Sequence, residues 1–462
     1  MQINTSKQKR VPQKTLSFTL CLLTLLALFV RIQYFRETVI THPIGGDARD
    51  YVDYGYNLYA HGVFSKEIVN EGRPTPDAFR SPGYPFLISM AFFMGGKLFF
   101  YPIIIYAQII MGALLVPLTF RIGERMYARS LALFAALLVA ISSHLVAMTT
   151  YVLTETVFAF FLILTVYLFI MALEKERFFY FSAAGGCSGI TYLVNETFFP
   201  LPFLLVGFAA FFIWRARRRN ARNLFGSLCI YFMVFLMFPV GWELRNHTLG
   251  ADRSGKSRAL ITLSHGAYPD FIYKNPEYKY YPYKEDPMQP QFGSSLKDFF
   301  HILKERVYAD PYRYIVWYLI KKPYYVWSWD NLQSRMGEQC GRGEGDVYVY
   351  PVKTSLYFKS AAADVSRIIM KYLHPVFLLA AFAGILIVGW DTRRKKGSRS
   401  EQSTPWLLCI VVVYYTLLYT VFAPWPRYSV PLRPELYLFA VWAIQYIIKC
   451  LKEQKTRYSH GN

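Results

Sequence analysis

Residues 101–129 read YPIIIYAQIIMGALLVPLTFRIGERMYAR. From Tyr101 to Phe120 there is no charged side chain, and Arg121, Arg125 and Arg129 follow at once. A helix rises 1.5 Å per residue, so a block of this length crosses a hydrocarbon core of roughly 30 Å. Lys and Arg collect in the cytoplasmic loops of membrane proteins, so the three arginines mark an inner end.

The pattern recurs outward in both directions. Apolar blocks run approximately over Leu16–Tyr34, Ser130–Thr149, Thr156–Leu173, Phe178–Val194, Phe198–Trp214, Leu224–Trp242, His374–Trp390, Pro405–Phe422 and Glu435–Lys449. With Tyr101–Phe120 that predicts about ten transmembrane helices in an all-α polytopic membrane protein. Alternate loops are basic. Lys175 and Arg177 follow the fourth block, Arg215, Arg217, Arg218, Arg219 and Arg222 the sixth, and Arg393, Arg394, Lys395, Lys396 and Arg399 the eighth. Lys452, Lys455 and Arg457 end the chain. An even number of spans puts both termini in the cytoplasm. The first block follows Lys7, Lys9, Arg10 and Lys14 and has no small-x-small cleavage pattern after it, so it reads as an uncleaved anchor.

The formal charge of +21 would suggest nucleic acid in a soluble chain. Here the positive charges sit where orientation and anionic lipid require them, which argues against nucleic acid as a partner. Of six cysteines, only Cys340 lies in a polar stretch, and no CxxC or Cys/His metal spacing occurs. The run Gly341-Arg-Gly343-Glu-Gly345 follows no predicted strand and reads as loop.

Two long outer segments remain, 36–100 and 243–373. Gly83–Phe93 is apolar but short, and is predicted to lie in the membrane interface. The second segment carries a Tyr-rich run, Tyr268 through Tyr283, and an amphipathic stretch near Tyr312 to Trp329, both suited to an interface or to sugar stacking. The expected organisation is an N-terminal transmembrane module over 1–250 with a catalytic first outer loop, an extracytoplasmic segment with interfacial helices over 251–373, and a C-terminal transmembrane module over 374–462.

Candidate chemistry lies at outer span ends. Gly45-Gly46-Asp47-Ala48-Arg49-Asp50-Tyr51 opens a helical pattern just after the first span. Asp47 is either its N-cap or a carboxylate whose basicity is tuned at the membrane surface. Phe79-Arg80-Ser81-Pro82-Gly83-Tyr84-Pro85 is a stiff turn whose Arg80 suits a phosphate or an interface anchor. Thr154-Glu155-Thr156 opens the fourth span, and Asn195-Glu196-Thr197 lies between the fifth and sixth. Trp242-Glu243-Leu244-Arg245-Asn246 ends the seventh, and Pro424-Trp425-Pro426-Arg427-Tyr428 follows the ninth. Arg245 and Arg427 run against the positive-inside trend, so either an anionic lipid headgroup or ordinary snorkelling accounts for them. Asn195-Glu-Thr and Asn246-His-Thr are formal glycosylation sequons close to the membrane.

The order of these features resembles the GT-C superfamily of membrane glycosyltransferases, in the branch of protein O-mannosyltransferases and aminoarabinose lipid A transferases. The resemblance rests on the acid after the first span, the xPGYP turn, the Thr-Glu pair, the PxxWxxRN exit and the late Pro-Arg-Tyr-x-x-Pro. It spans Leu16 to about Glu435 and is dense only at those motifs. It implies a donor sugar on a polyprenyl phosphate, Asp47 as catalytic base and Arg245 and Arg427, with Arg80, on the donor phosphate. Glu155 matches the acid of the Thr-Glu pair, without a stated role. Tyr84, Trp242, Asn246 and Tyr428 are expected to line the substrate. The chain departs from the family at Ala48, where many mannosyltransferases carry a second acid, and at Phe79-Arg80, where the aminoarabinose transferases carry a Glu. Asp50, one turn on, is the local substitute. No cofactor is required by any motif, and a divalent metal stays open.

The expected function is transfer of that sugar to an extracytoplasmic acceptor hydroxyl of a lipid, glycan or protein at the cell membrane. The alternatives are a transporter or lipid-binding membrane protein, and a ligase or polymerase of surface glycans.

Overall fold

The computed structural model describes residues 13–37, 43–215, 220–249, 255–279, 281–329, 361–394 and 403–459. Cys340, the glycine run at 341–345 and the basic residues Lys7, Lys9, Arg10, Arg217, Arg218, Arg219, Lys395, Lys396 and Arg399 lie outside them. The described residues form helices and contain no strand. In order these begin α1 Gln13–Glu37, α2 Asp47–His61, α3 Gly83–Gly123, α4 Arg129–Ile141, α5 Ser143–Met148, α6 Glu155–Lys175, α7 Phe178–Val194, α8 Leu201–Arg215, α9 Ala221–Asn246 and α10 Gly255–Gly266. Shorter helices follow between 289 and 327. Three long ones close the chain: Ala361–Arg394, Ser403–Val421 and Arg433–Ser459.

Eight of the described helices are long and apolar enough to cross a membrane, and α4 and α7 are shorter apolar helices. All ten apolar blocks of the sequence fall on these elements. The protein is a multi-pass membrane protein, and α3 is its central helix, packed on α1, α2, α4 and α6.

The block Ser130–Thr149 is not one helix, contrary to expectation. It breaks at Ser142, whose ψ of 111° leaves the helical region. The freed carbonyls at the end of α4 are met from α1. Arg31, fully buried, donates to Ala140 O at 3.1 Å and Val139 O at 3.4 Å. Gln108 of α3 donates to Thr149 O at 3.0 Å and Tyr151 O at 2.8 Å. Irregular backbone is tolerated at membrane depth only with such partners. Arg31 is thus a structural donor at the end of the first span.

Gly83–Phe93 is helical and continues into the next span, with a break at Gly96. That residue has φ 59° and ψ −164°, a conformation that only glycine adopts without strain. Phe86, Met90, Phe93 and Met94 are exposed along the first half.

Helices α7 and α9 approach through Gly185 and Gly189, four residues apart. A Cβ on Gly185 would stand 2.5 Å from the Tyr231 carbonyl oxygen, and one on Gly189 would overlap the Phe238 ring. Small residues at this spacing let helix backbones meet in a membrane. Gly185→Val is expected to lower stability by about 1–3 kcal/mol through overpacking. A thermal midpoint in detergent unchanged from the wild type would contradict this contact.

Candidate active site

Helix α6 carries the polarity of the fold. Its C-terminal end holds Glu174, which pairs with Arg125 at 2.8 Å beside the ion pair of Arg121 with Glu124. Its N-terminal end holds Glu155. Twenty-one residues separate the two ends, roughly 31 Å at 1.5 Å per residue. The basic loops and the candidate acids therefore lie at opposite ends of one apolar span.

At the Glu155 end five charged residues from four parts of the chain converge. Asp47 is the first residue of α2, and the N-cap position belongs to Gly46 at φ 56°. Gly46 takes the N-cap place that the sequence offered to Asp47, and the Asp47 carboxylate is engaged by two arginines. Asp47 Oδ1 accepts from Arg80 Nη2 at 2.7 Å, and Oδ2 accepts from Arg427 Nη2 at 2.7 Å. Arg80 also donates to Asp50 Oδ2, from Nη2 at 2.5 Å and from Nε at 2.9 Å. Arg427 Nε stands 3.5 Å from Glu155 Oε1.

Local structure explains how the two arginines are held. Arg80 lies over the Tyr51 ring at 4.9 Å, and Tyr51 meets Tyr84 edge to face. Tyr84 Oη donates to Gln108 Oε1 at 2.7 Å, which ties the turn to the core of α3. Gly83 sits so close to the end of α7 that a Cβ would be 2.7 Å from the Leu193 carbonyl carbon. Arg427 lies in a 3-10 turn, Pro426–Leu432, that packs on α6. Trp425 stacks on Phe271, and Tyr428 stacks on Tyr419 at 4.7 Å.

Arg245 is on the same side but makes different contacts. It donates to Asp77 O at 2.6 Å and Phe64 O at 3.1 Å, and to Asn246 Oδ1 at 2.9 Å. Trp242 packs edge to face on Phe64 and under the Arg245 guanidinium. Asp77 in turn accepts from the Tyr54 hydroxyl and from the backbone N–H groups of Lys66 and Phe79. Arg245, Asn246 and Trp242 thus brace the first outer loop three residues ahead of Arg80. Glu196 is exposed and accepts from the Ser81 hydroxyl at 3.4 Å, outside the cluster. Asn195 accepts from the N–H and hydroxyl of Thr197.

Arg258 of α10 is a residue that the sequence did not single out. It lies close enough to Tyr51 to act on it electrostatically. The C-terminal end of α10 abuts the backbone at Phe422 and Ala423, and His265 packs on Trp425. An isolated arginine in an unfamiliar segment gave no signal by itself.

Burial opposes ionisation of Asp47, but the Arg427 and Arg80 guanidiniums outweigh it and hold the carboxyl well below the usual carboxylate range. The sign follows directly. A depressed folded-state value stabilises the fold above the unfolded value of about 3.9, and that stabilisation is lost only as pH falls through the folded value. Asp47 therefore stays ionised across the physiological range. Among the described residues no group of three His, Cys, Asp or Glu side chains is placed to hold a metal ion.

A family model for dolichyl-phosphate-mannose-protein mannosyltransferase matches residues 79–242, about a third of the chain, from the Arg80 turn to Trp242. Among solved structures the chain is similar to the Archaeoglobus fulgidus oligosaccharyltransferase in complex with Zn and sulfate (TM-score 0.52, 15% identity, 94% of this chain and 49% of that one). It is similar also to the archaeal oligosaccharyltransferase AglB of Archaeoglobus fulgidus, in complex with an inhibitory peptide and a dolichol-phosphate (TM-score 0.52, 12% identity, 96% and 52%). ArnT from Cupriavidus metallidurans bound to undecaprenyl phosphate gives a TM-score of 0.49 at 12% identity, over 92% of this chain and 60% of that one. The chain spans about half the length of the oligosaccharyltransferases. No curated protein matches the sequence significantly.

Proposed function

We propose that this chain, whose fold is similar to that of the archaeal oligosaccharyltransferases, is a GT-C membrane glycosyltransferase that transfers a sugar from a polyprenyl-phosphate carrier to an acceptor hydroxyl by a single inverting displacement. The observation that carries the reading is the convergence of Asp47, Arg80, Glu155 and Arg427 at one end of the apolar bundle. A lipid-anchored sugar phosphate presents its anion and its anomeric carbon at that depth, with the polyprenyl chain left in lipid. The dolichol-phosphate found with the archaeal oligosaccharyltransferase is a ligand of this chemical class.

Arg427 is the leaving-group cation. Its guanidinium meets the departing phosphate, and electrostatic aid of this kind is often the largest contribution to catalysis. Asp47 takes the proton of the acceptor hydroxyl. In the free site it is a weak base, because two guanidiniums stabilise its anion. Donor phosphate competes for those N–H groups, and as it draws Arg427 away the carboxylate gains basicity where and when it is needed. Glu155 steadies Arg427 from the other side. Arg245 supports the first outer loop on which Arg80 stands, and Tyr428 lines the approach; Tyr84, expected there too, is fully buried against α3 and supports the turn instead. The site faces the extracytoplasmic side, with both termini cytoplasmic. The 1–250 module supplies Asp47, Arg80 and Glu155, and the 374–462 module supplies Arg427.

The test is reconstitution in lipid vesicles with polyprenyl-phosphate-linked sugars labelled in the sugar, scored by release of polyprenyl phosphate. Release that requires an acceptor supports the reading. Movement of the lipid across the bilayer without cleavage of the glycosyl bond would assign the protein to transport instead.

The pH dependence follows from the same geometry. The profile of kcat/KM for the donor reports the free enzyme, where Asp47 is already ionised, so it is expected to show no acid limb from about pH 5 to 8. The profile of kcat reports the donor-bound enzyme and is expected to show one. Identical acid limbs in the two profiles would remove the coupling between phosphate and Asp47.

A further inference from the structure

Asp47 and Asp50 lie one helical turn apart on α2, and Glu155 stands across from them. Oxygen-rich, acid-lined pockets of this kind are suited to a hard divalent cation, and a metal ion occurs in the oligosaccharyltransferase described above. In this chain the space between the acids is filled differently. One nitrogen of Arg80, Nη2, lies 2.7 Å from Asp47 Oδ1 and 2.5 Å from Asp50 Oδ2. The Nε of the same guanidinium is 2.9 Å from Asp50. The second oxygen of Asp47 belongs to Arg427, which reaches on to Glu155.

We infer that Arg80 is a built-in cation standing where a divalent metal would bridge Asp47 and Asp50, so that this site works without a resident metal. The inference rests on the glycosyl-transfer reading and deepens it. Three observations support it. The bridging geometry is that of a metal between two carboxylates, with a planar fork in place of an ion. The guanidinium cannot lose its proton to make room, since Arg stays charged in proteins. Nor is it free to swing out: its side chain is 6% exposed, packed on the Tyr51 ring and carried by the stiff Pro82-Gly83 turn. A divalent ion entering beside it would meet two fixed positive charges at close range. Arg80 is thus a positioning residue for Asp47 and adds charge on the donor side of the site.

The experiment uses the full chain in lipid nanodiscs with Mn²⁺ as the probe, read by electron paramagnetic resonance. It compares the wild type with Arg80→Ala, Arg80→Lys and Arg80→Ala/Asp47→Asn. The wild type is expected to leave Mn²⁺ free, and EDTA to leave its polyprenyl-phosphate release unchanged. Arg80→Ala is expected to bind Mn²⁺ in a way that the added Asp47→Asn abolishes. Its release is expected to fall about a hundredfold and recover in part with Mn²⁺. Arg80→Lys keeps the charge and is expected to stay metal-free. Mn²⁺ bound by the wild type in an Asp47-dependent manner, or loss of wild-type release on chelation that Mn²⁺ restores, would overturn the inference. So would the absence of any Asp47-dependent Mn²⁺ in folded Arg80→Ala. Should the wild type cleave no lipid-linked sugar, the functional reading fails, and the resonance measurements still decide the question of the cation.

Discussion

Asp47→Asn is expected to lower kcat for polyprenyl-phosphate release by about 10²–10⁴-fold, the range typical of a lost general base. The side chain keeps its shape, and its one remaining oxygen can still accept from one of the two arginines, so the fold should persist. The split between kinetic parameters is the informative part. In the wild type Asp47 competes with the donor phosphate for both guanidiniums. A neutral amide competes poorly, so donor binding should be unchanged or tighter while turnover collapses. Full turnover in the variant would remove Asp47 from its role. Loss of donor binding alone, with kcat intact, would recast it as part of the donor pocket.

The second large effect is at Arg427. Arg427→Gln is expected to reduce kcat by about 10²–10³-fold, as for loss of a donor aimed at a developing anion. It should also destabilise the protein. Glu155 is only 8% exposed, and Arg427 is the cation beside it. Breaking a buried pair from one side strands the other charge, at a cost of about 3–5 kcal/mol. The double variant Arg427→Gln/Glu155→Gln separates the two roles, because it removes the stranded charge. Its thermal midpoint should return towards the wild type while its turnover stays low. Recovery of both together would mean that Arg427 serves only the fold.

Several parts of this account were open to reading along the chain. The block Tyr101–Phe120 and its nine counterparts need only length and composition to be recognised. Each has since appeared on an apolar helix, with Ser130–Thr149 divided at Ser142. The acid after the first span, the Arg80 turn, the Thr-Glu pair and the late arginine were each visible as short motifs at apolar boundaries. What each touches was not visible. Asp47 at the head of a helical pattern looks like a cap, since Asp is a common capping residue. In the fold Gly46 is the cap, and the Asp47 carboxylate is shared between Arg80 and Arg427, the latter 380 residues later. Arg245 and Arg427 looked equivalent as outward arginines beside aromatics. In the fold Arg427 meets two acids, and Arg245 meets backbone carbonyls of the first outer loop. The role of Arg31 as a donor to α4 carbonyls depends on contacts more than a hundred residues away.

The sequence by itself determined that the chain crosses a membrane many times, because hydrophobic length and the placement of basic loops act locally and sum along the chain. It also determined which charged residues stand at apolar edges. Tertiary structure alone decided which of those charges share a site, and that Arg80 lies between two carboxylates. Coulombic pairing depends on distance in space, and the turn after the 403–421 helix is brought within 4 Å of both α2 and α6 only by the packing of the bundle.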